Sequence, residues 1–98
     1  MSVNSDYFDH LYSADPDPWK VCSRWYEQRK RALLMAMLPR RRYGLVFEPA
    51  CGTGDLTLCL AGRSTNVLAC DYSIKAVALA QAKLSQCGNV HLEQRAIP

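Results

Sequence analysis

A chain of 98 residues has room for one domain and would bury only about 60–65% of its unfolded surface, so its stability margin is thin. Its 49% hydrophobic content is that of a globular protein, and a net charge of +3 is too small to argue for nucleic acid. The five cysteines form no Cys-x-x-Cys pair and the two histidines lie far apart, which excludes a zinc spacing and reads as reduced thiols in a cytoplasmic protein, with no metal site.

The start, Met1 to Asp6, is polar and acidic rather than a signal peptide, and the longest apolar run, Ala32 to Leu38, is far too short to span a bilayer. Tyr7, Phe8, Leu11 and Tyr12 have helical spacing. Asp15-Pro16-Asp17-Pro18-Trp19 breaks that helix, because each proline steers its predecessor out of the α region. Ser23 is placed to cap a second helix running to about Leu38, with Tyr26, Leu33, Leu34, Met37 and Leu38 on one face and Glu27 paired with Arg31. Pro39 stops it, and Arg40, Arg41 and Arg42 follow where the helix dipole favours cations.

Gly44 to Glu48 reads as a first strand. Its run Leu45-Val46-Phe47 lacks alternation, as expected of a strand buried on both faces. A short helix follows from Asp55 to about Gly62, with Leu56, Cys59 and Leu60 inward. Asn66 to Asp71 is a second apolar strand, also ending in an acid. Ser73 caps a helix to about Gln86 whose packing face is marked by Ile74, Val77, Ala78 and Leu84. Val90 to Gln94 alternates polar and apolar residues, so this third strand is the most exposed. The order helix-β-α-β-α-β predicts an α/β fold, part of a Rossmann-like parallel sheet: a helical segment over residues 1–42 and a partial cofactor-binding domain over 43–98. A three-stranded half-sheet leaves a buried-type strand at an edge, which suggests a fragment or a half that needs a missing C-terminal segment or a complementary chain.

The chemistry centres on Glu48-Pro49-Ala50-Cys51-Gly52-Thr53-Gly54, a strand end, a glycine bend and a helix start. Ligands of open α/β sheets bind outside the carboxyl ends of the strands, where Glu48 and Asp71 both fall. An acid there can accept from ribose hydroxyls or from a ligand ammonium group. A nicotinamide dinucleotide would need a third glycine at position 57, which is Thr57, and Asp55 would repel its pyrophosphate. Cys51 has no nearby histidine and reads as a small loop residue rather than a nucleophile.

The order Glu-x-x-x-Gly-x-Gly resembles the first motif of class I S-adenosylmethionine-dependent methyltransferases. A wider set of residues looks like the nodulation protein S family: Asp15-Pro16-Asp17-Pro18-Trp19, Trp25-Tyr26-Glu27-Gln28-Arg29-Lys30, Leu38-Pro39, and the glycine bend itself. The likeness runs from about Tyr7 to Pro98 and covers only that family's N-terminal half. The resemblance implies a bacterial methyltransferase, cofactor S-adenosyl-L-methionine, acting on a small acceptor such as an amine of an oligosaccharide. It implies that Glu48, Gly52 and Gly54 contact the methionine part, that Asp71 holds the ribose and that Tyr72 packs on the adenine. The N-terminal segment would close as a lid carrying Trp19, Tyr26 and Arg29. Ala50 stands at the motif's first glycine, and Ala96 and Ile97 stand where the family has an acid for the adenine amino group. No residue stands out as a general base, and no nucleic-acid or membrane partner is implied. The alternatives are a non-catalytic fragment or interaction module and, behind it, an NAD-dependent oxidoreductase.

Overall fold

A computed structural model describes residues 5–20 and 24–96. The elements are α1 (Ser5–Ala14), α2 (Trp25–Met37), β1 (Tyr43–Glu48), α3 (Asp55–Ala61), β2 (Ser64–Asp71), α4 (Ile74–Lys83) and β3 (Val90–Gln94). The three strands form one parallel sheet in the order β1-β2-β3, with Val46 beside Val67 and Val67 beside Val90. This is the α/β architecture expected, with the strands of α/β crossover units.

Crossovers that step in one direction with one hand place their helices on one face of the sheet. That face is packed: Cys51, Leu60, Val67 and Ala69 form the core, with Val46, Leu56, Val90, Leu92, Met35 and Leu38 against it. The opposite face carries Leu45, Phe47, Leu68, His91 and Glu93 in register. β1 is therefore not buried on both faces: Leu45 is 73% exposed and Phe47 51%. Its apolar run reflects a strand built for cover that no element among the described residues supplies. β3 alternates, with His91 and Gln94 exposed and Glu93 paired with His91 and Arg95, but it is not the most exposed strand: the uncovered face of β1 leaves Gly44, Leu45 and Phe47 exposed.

Two helix faces differ from the sequence reading. α2 buries no residue; Leu33, Met37 and Tyr26 are exposed, and contact with the core comes from Met35 and Leu38. Ser23 lies outside the described residues, and the residue at the helix N-cap is Arg24, with no side-chain cap. α4 buries Ala76 and Ala80, with Leu84 just beyond it, while Ile74 and Ala78 face out. The reason is proximity: a Cβ on Gly54 would lie 3.3 Å from the Ala80 Cβ and 2.9 Å from Leu84 Cδ1, so only small side chains fit between this helix and the bend.

The helix ends are held by residues distant in sequence. Arg63, rather than Arg40 to Arg42, serves the C-terminus of α2: its guanidinium donates to the carbonyls of Met35, Leu38, Arg40 and Arg41. Ser73 caps α4 as expected, accepting from Ala76 N at 3.1 Å. The Ser73 hydroxyl also donates to Asp9 Oδ1 at 2.5 Å, and Lys75 N donates to the same oxygen at 3.2 Å, which docks α1 on the start of α4. Among the described residues no helix is long and apolar enough to cross a membrane.

Candidate cofactor cleft

β1 and β2 end side by side, and their last residues are Glu48 and Asp71. Between β1 and α3 the chain bends through Ala50, Gly52 and Gly54, all with positive φ (56°, 57° and 91°). Asp71 pins this bend. Its Oδ2 accepts from Gly52 N at 2.8 Å and its Oδ1 from Ser73 N at 3.0 Å, so one carboxylate ties the glycine loop to the entry of α4. Cys51 N donates to Cys70 O at 2.8 Å and continues the strand-like contact past the end of β1.

Glu48 is 8% exposed and accepts from the Thr57 hydroxyl at 2.5 Å. Burial raises its pKa, against the lowering effect of that hydrogen bond, and the charge of Asp71 adds to the rise. Thr57 is fully buried and was not singled out for the site by its sequence; its signal is a polar residue on the inward face of an otherwise apolar helix. Burial, with Asp71 and Glu48 nearby, pushes the Cys51 thiol up to about 12, so it stays protonated and is no nucleophile at neutral pH.

Above the bend lies a cleft of about 920 Å³, within the range of small-molecule sites. Its lining includes Glu48, Ala50, Cys51, Gly52, Thr53 and Asp71 at the strand ends and the bend, Tyr72 and Ala96 after β2 and β3, and Glu27, Lys30, Arg31 and Leu34 of α2. α1 and the turn after it form a roof with Phe8, Tyr12, Pro18 and Trp19. The roof is held by rings: Tyr12 meets Trp19 edge-on at 5.6 Å, and Phe8 lies 6.3 Å from both Trp19 and Tyr72. Burial pushes the Tyr12 hydroxyl up to about 12, with the charge of Asp71 adding to it, so Tyr12 presents a proton rather than taking one.

Of the residues singled out in the sequence, Glu48, Ala50, Gly52, Asp71, Tyr72 and Trp19 line this cleft together. Gly54 does not; it sits beneath the cleft against α4. Tyr26 and Arg29 lie outside it as well. Tyr26 is 64% exposed under Lys30, and the Arg29 guanidinium sits 5.5 Å over the Trp25 ring. Helix rotation explains both, since the α2 face turned to the cleft is 27, 30, 31 and 34. Asp55, expected to repel a pyrophosphate, is instead paired with Lys83 at 2.7 Å. The lining nonetheless carries five carboxylates (Asp17, Glu27, Glu48, Asp55, Asp71) against two cations, Lys30 and Arg31, in a chain whose net charge is +3.

A family model for nodulation protein S (NodS) matches residues 4–97. The chain belongs to that family. No match is found among curated proteins. Several solved structures are similar to this family member. A Pseudomonas syringae protein described as a methyltransferase is 42% identical, with a TM-score of 0.68 over 76% of this chain and 51% of its own. The N-methyltransferase NodS of Bradyrhizobium japonicum, solved with S-adenosyl-L-homocysteine, is 18% identical, with a TM-score of 0.75 over 96% of this chain and 48% of its own. Phosphoethanolamine N-methyltransferase 1 of Haemonchus contortus, with phosphoethanolamine and S-adenosylhomocysteine bound, is 23% identical, with a TM-score of 0.76 over 93% of this chain and 20% of its own. The chain thus spans about half the length, or less, of the structures it matches, and shares their Rossmann-like fold over that part.

Proposed function

We propose that this chain is the cofactor-binding half of an S-adenosyl-L-methionine-dependent methyltransferase. The observation that carries the reading is the pair of strand-end carboxylates, Glu48 and Asp71, lining one acidic cleft beneath a positive-φ bend. A cleft with an excess of carboxylates favours a sulfonium and opposes a ligand with two phosphates. Membership of the NodS family and the ligands of the similar structures support the same cofactor.

In this reading Asp71 uses its remaining lone pairs for the ribose hydroxyls, with Tyr72 against the adenine. Glu48 faces the amino-acid end, and Gly52 and Ala50 let the backbone run close beneath the ligand. The bound cofactor supplies the methyl group on its sulfonium. The chain aligns donor and acceptor and keeps water out, the latter through the aromatic roof of Phe8, Tyr12 and Trp19, which acts as a lid. The acceptor is a small molecule such as an amine of an oligosaccharide, in keeping with the N-methyltransferases among the similar structures. The open edge of β1 favours a second reading of the isolated chain: it binds cofactor, and transfer requires a further segment docked beside β1.

Calorimetric titration with S-adenosylhomocysteine and, separately, NAD tests the assignment. Binding of the first and not the second is expected; binding of NAD alone refutes it. Methyl transfer from radiolabelled cofactor by the 98 residues alone would remove the need for a further segment.

A further inference from the structure

Glu48 reaches the cleft, and Thr57 stands behind it. Thr57 is fully buried on α3 beside Leu60 and is not among the residues that line the cleft. An ionised carboxylate only accepts hydrogen bonds, so the Thr57 hydroxyl is the donor to Glu48 Oε1 at 2.5 Å. That hydroxyl has a single proton. In a helix the proton commonly goes to the carbonyl one turn back. Here it crosses from α3 to the end of β1, occupies one carboxylate oxygen and leaves the other, Oε2, for the cleft.

A ligand ammonium is attracted by the carboxylate of Glu48 and not by its neutral acid. Burial favours the neutral acid, the Thr57 hydrogen bond favours the ion, and the charge of Asp71 at the end of β2 sides with burial. Among these influences Thr57 is the one that opposes protonation. The other titratable or charged groups of the cleft are Cys51 on the bend, Tyr12 and Asp17 on the roof, Asp55 on α3, and Glu27, Lys30 and Arg31 on α2. Burial pushes both Tyr12 and Cys51 up to about 12, so neither exchanges a proton with Glu48 near neutral pH.

Resting on the cofactor reading above, we infer that Thr57 is a positioning residue: it holds Glu48 as a carboxylate with Oε2 turned to the ammonium of the cofactor's amino-acid end. Two measurements test this: an NMR titration of the Glu48 carboxyl carbon in the ligand-free chain, and S-adenosylhomocysteine affinity by calorimetry from about pH 5 to 8. In wild type, affinity falls on the acid side as Glu48 takes a proton. Thr57→Val, near in shape but without the donor, should move both the titration and the fall in affinity to higher pH, and should bind about tenfold more weakly than wild type at about pH 5. Thr57→Ala carries the same test where the valine variant does not fold, and Thr57→Ser, which keeps the hydroxyl, should follow wild type. On a Glu48→Gln background, Thr57→Val should leave the pH dependence unmoved. A role confined to packing would lower the stability of Thr57→Val in urea and leave both curves in place, which overturns the inference. A moved titration with unmoved affinity, or Thr57→Ser behaving like Thr57→Val, overturns it too. Each of these leaves the cofactor reading standing; wild type that binds no S-adenosylhomocysteine overturns both.

Discussion

Ala50→Gly is expected to stabilise the protein. Ala50 sits at φ 56°, in the region where Cβ crowds the following carbonyl oxygen, at a cost of about 1–2 kcal/mol for an L residue. Ala50 is exposed, so removing its methyl forfeits little packing. The opposing term is the extra freedom that glycine gives the unfolded chain, about 0.5–1 kcal/mol. The net gain is about 0.5–1 kcal/mol, or a rise in Tm of about 2–8 °C for a chain of this size. Urea unfolding followed by tryptophan fluorescence should show a higher midpoint at unchanged slope. Gly54→Ala is the control in the other direction. It places a Cβ at φ 91° and within 2.9 Å of Leu84 Cδ1, and should cost more than about 2 kcal/mol. A loss of stability in Ala50→Gly, or no loss in Gly54→Ala, would refute the view that the fold imposes left-handed backbone at these two positions.

Asp71→Ala removes the acceptor of both Gly52 N–H and Ser73 N–H, and should weaken S-adenosylhomocysteine binding by about 1.5–3 kcal/mol in calorimetry; undiminished affinity would take Asp71 out of the ribose site. The docking of α1 should depend on pH. The Ser73 hydroxyl holds the Asp9 carboxyl below its ordinary value, so its contribution is present above about pH 4 and is lost as the pH falls through the folded-state value. Trp19 fluorescence should report this acid-side release, and Asp9→Asn should abolish it. Arg63→Ala should lower stability by about 2 kcal/mol by stranding the carbonyls at the end of α2, and Arg63→Lys should restore only part, since one ammonium cannot span that set; equal stability of Arg63→Ala and wild type by urea unfolding would sink the capping role.

What the sequence made legible is local. The acid at the end of each of two apolar runs, the glycine bend between the first run and its helix, and the Ser73 cap are all signals carried within a few residues, and each stands where it was read. What escaped depends on what covers what. Leu33 and Met37 share a helical spacing, but periodicity states only that residues lie on one side, not that anything packs there. In α4 the buried face went to the alanines because the Gly54 bend leaves no space for larger residues, a fact of three dimensions. Tyr26 and Arg29 entered through a motif shared with a family, and the rotation of α2 gives the cleft to their neighbours. The links of Asp9 to Ser73 and of Arg63 to Met35 join residues far apart in the chain and leave no local trace.

The uncovered side of the sheet has a practical consequence. Leu45 and Phe47 stand on a strand with one free row of backbone donors and acceptors, while the opposite edge of the sheet, at β3, is studded with His91, Glu93 and Arg95. Charge discourages extension of the sheet on that margin, while the greasy margin of β1 invites it. At high concentration the protein should stick to itself through β1, and Leu45→Lys should keep it in solution without disturbing the cleft.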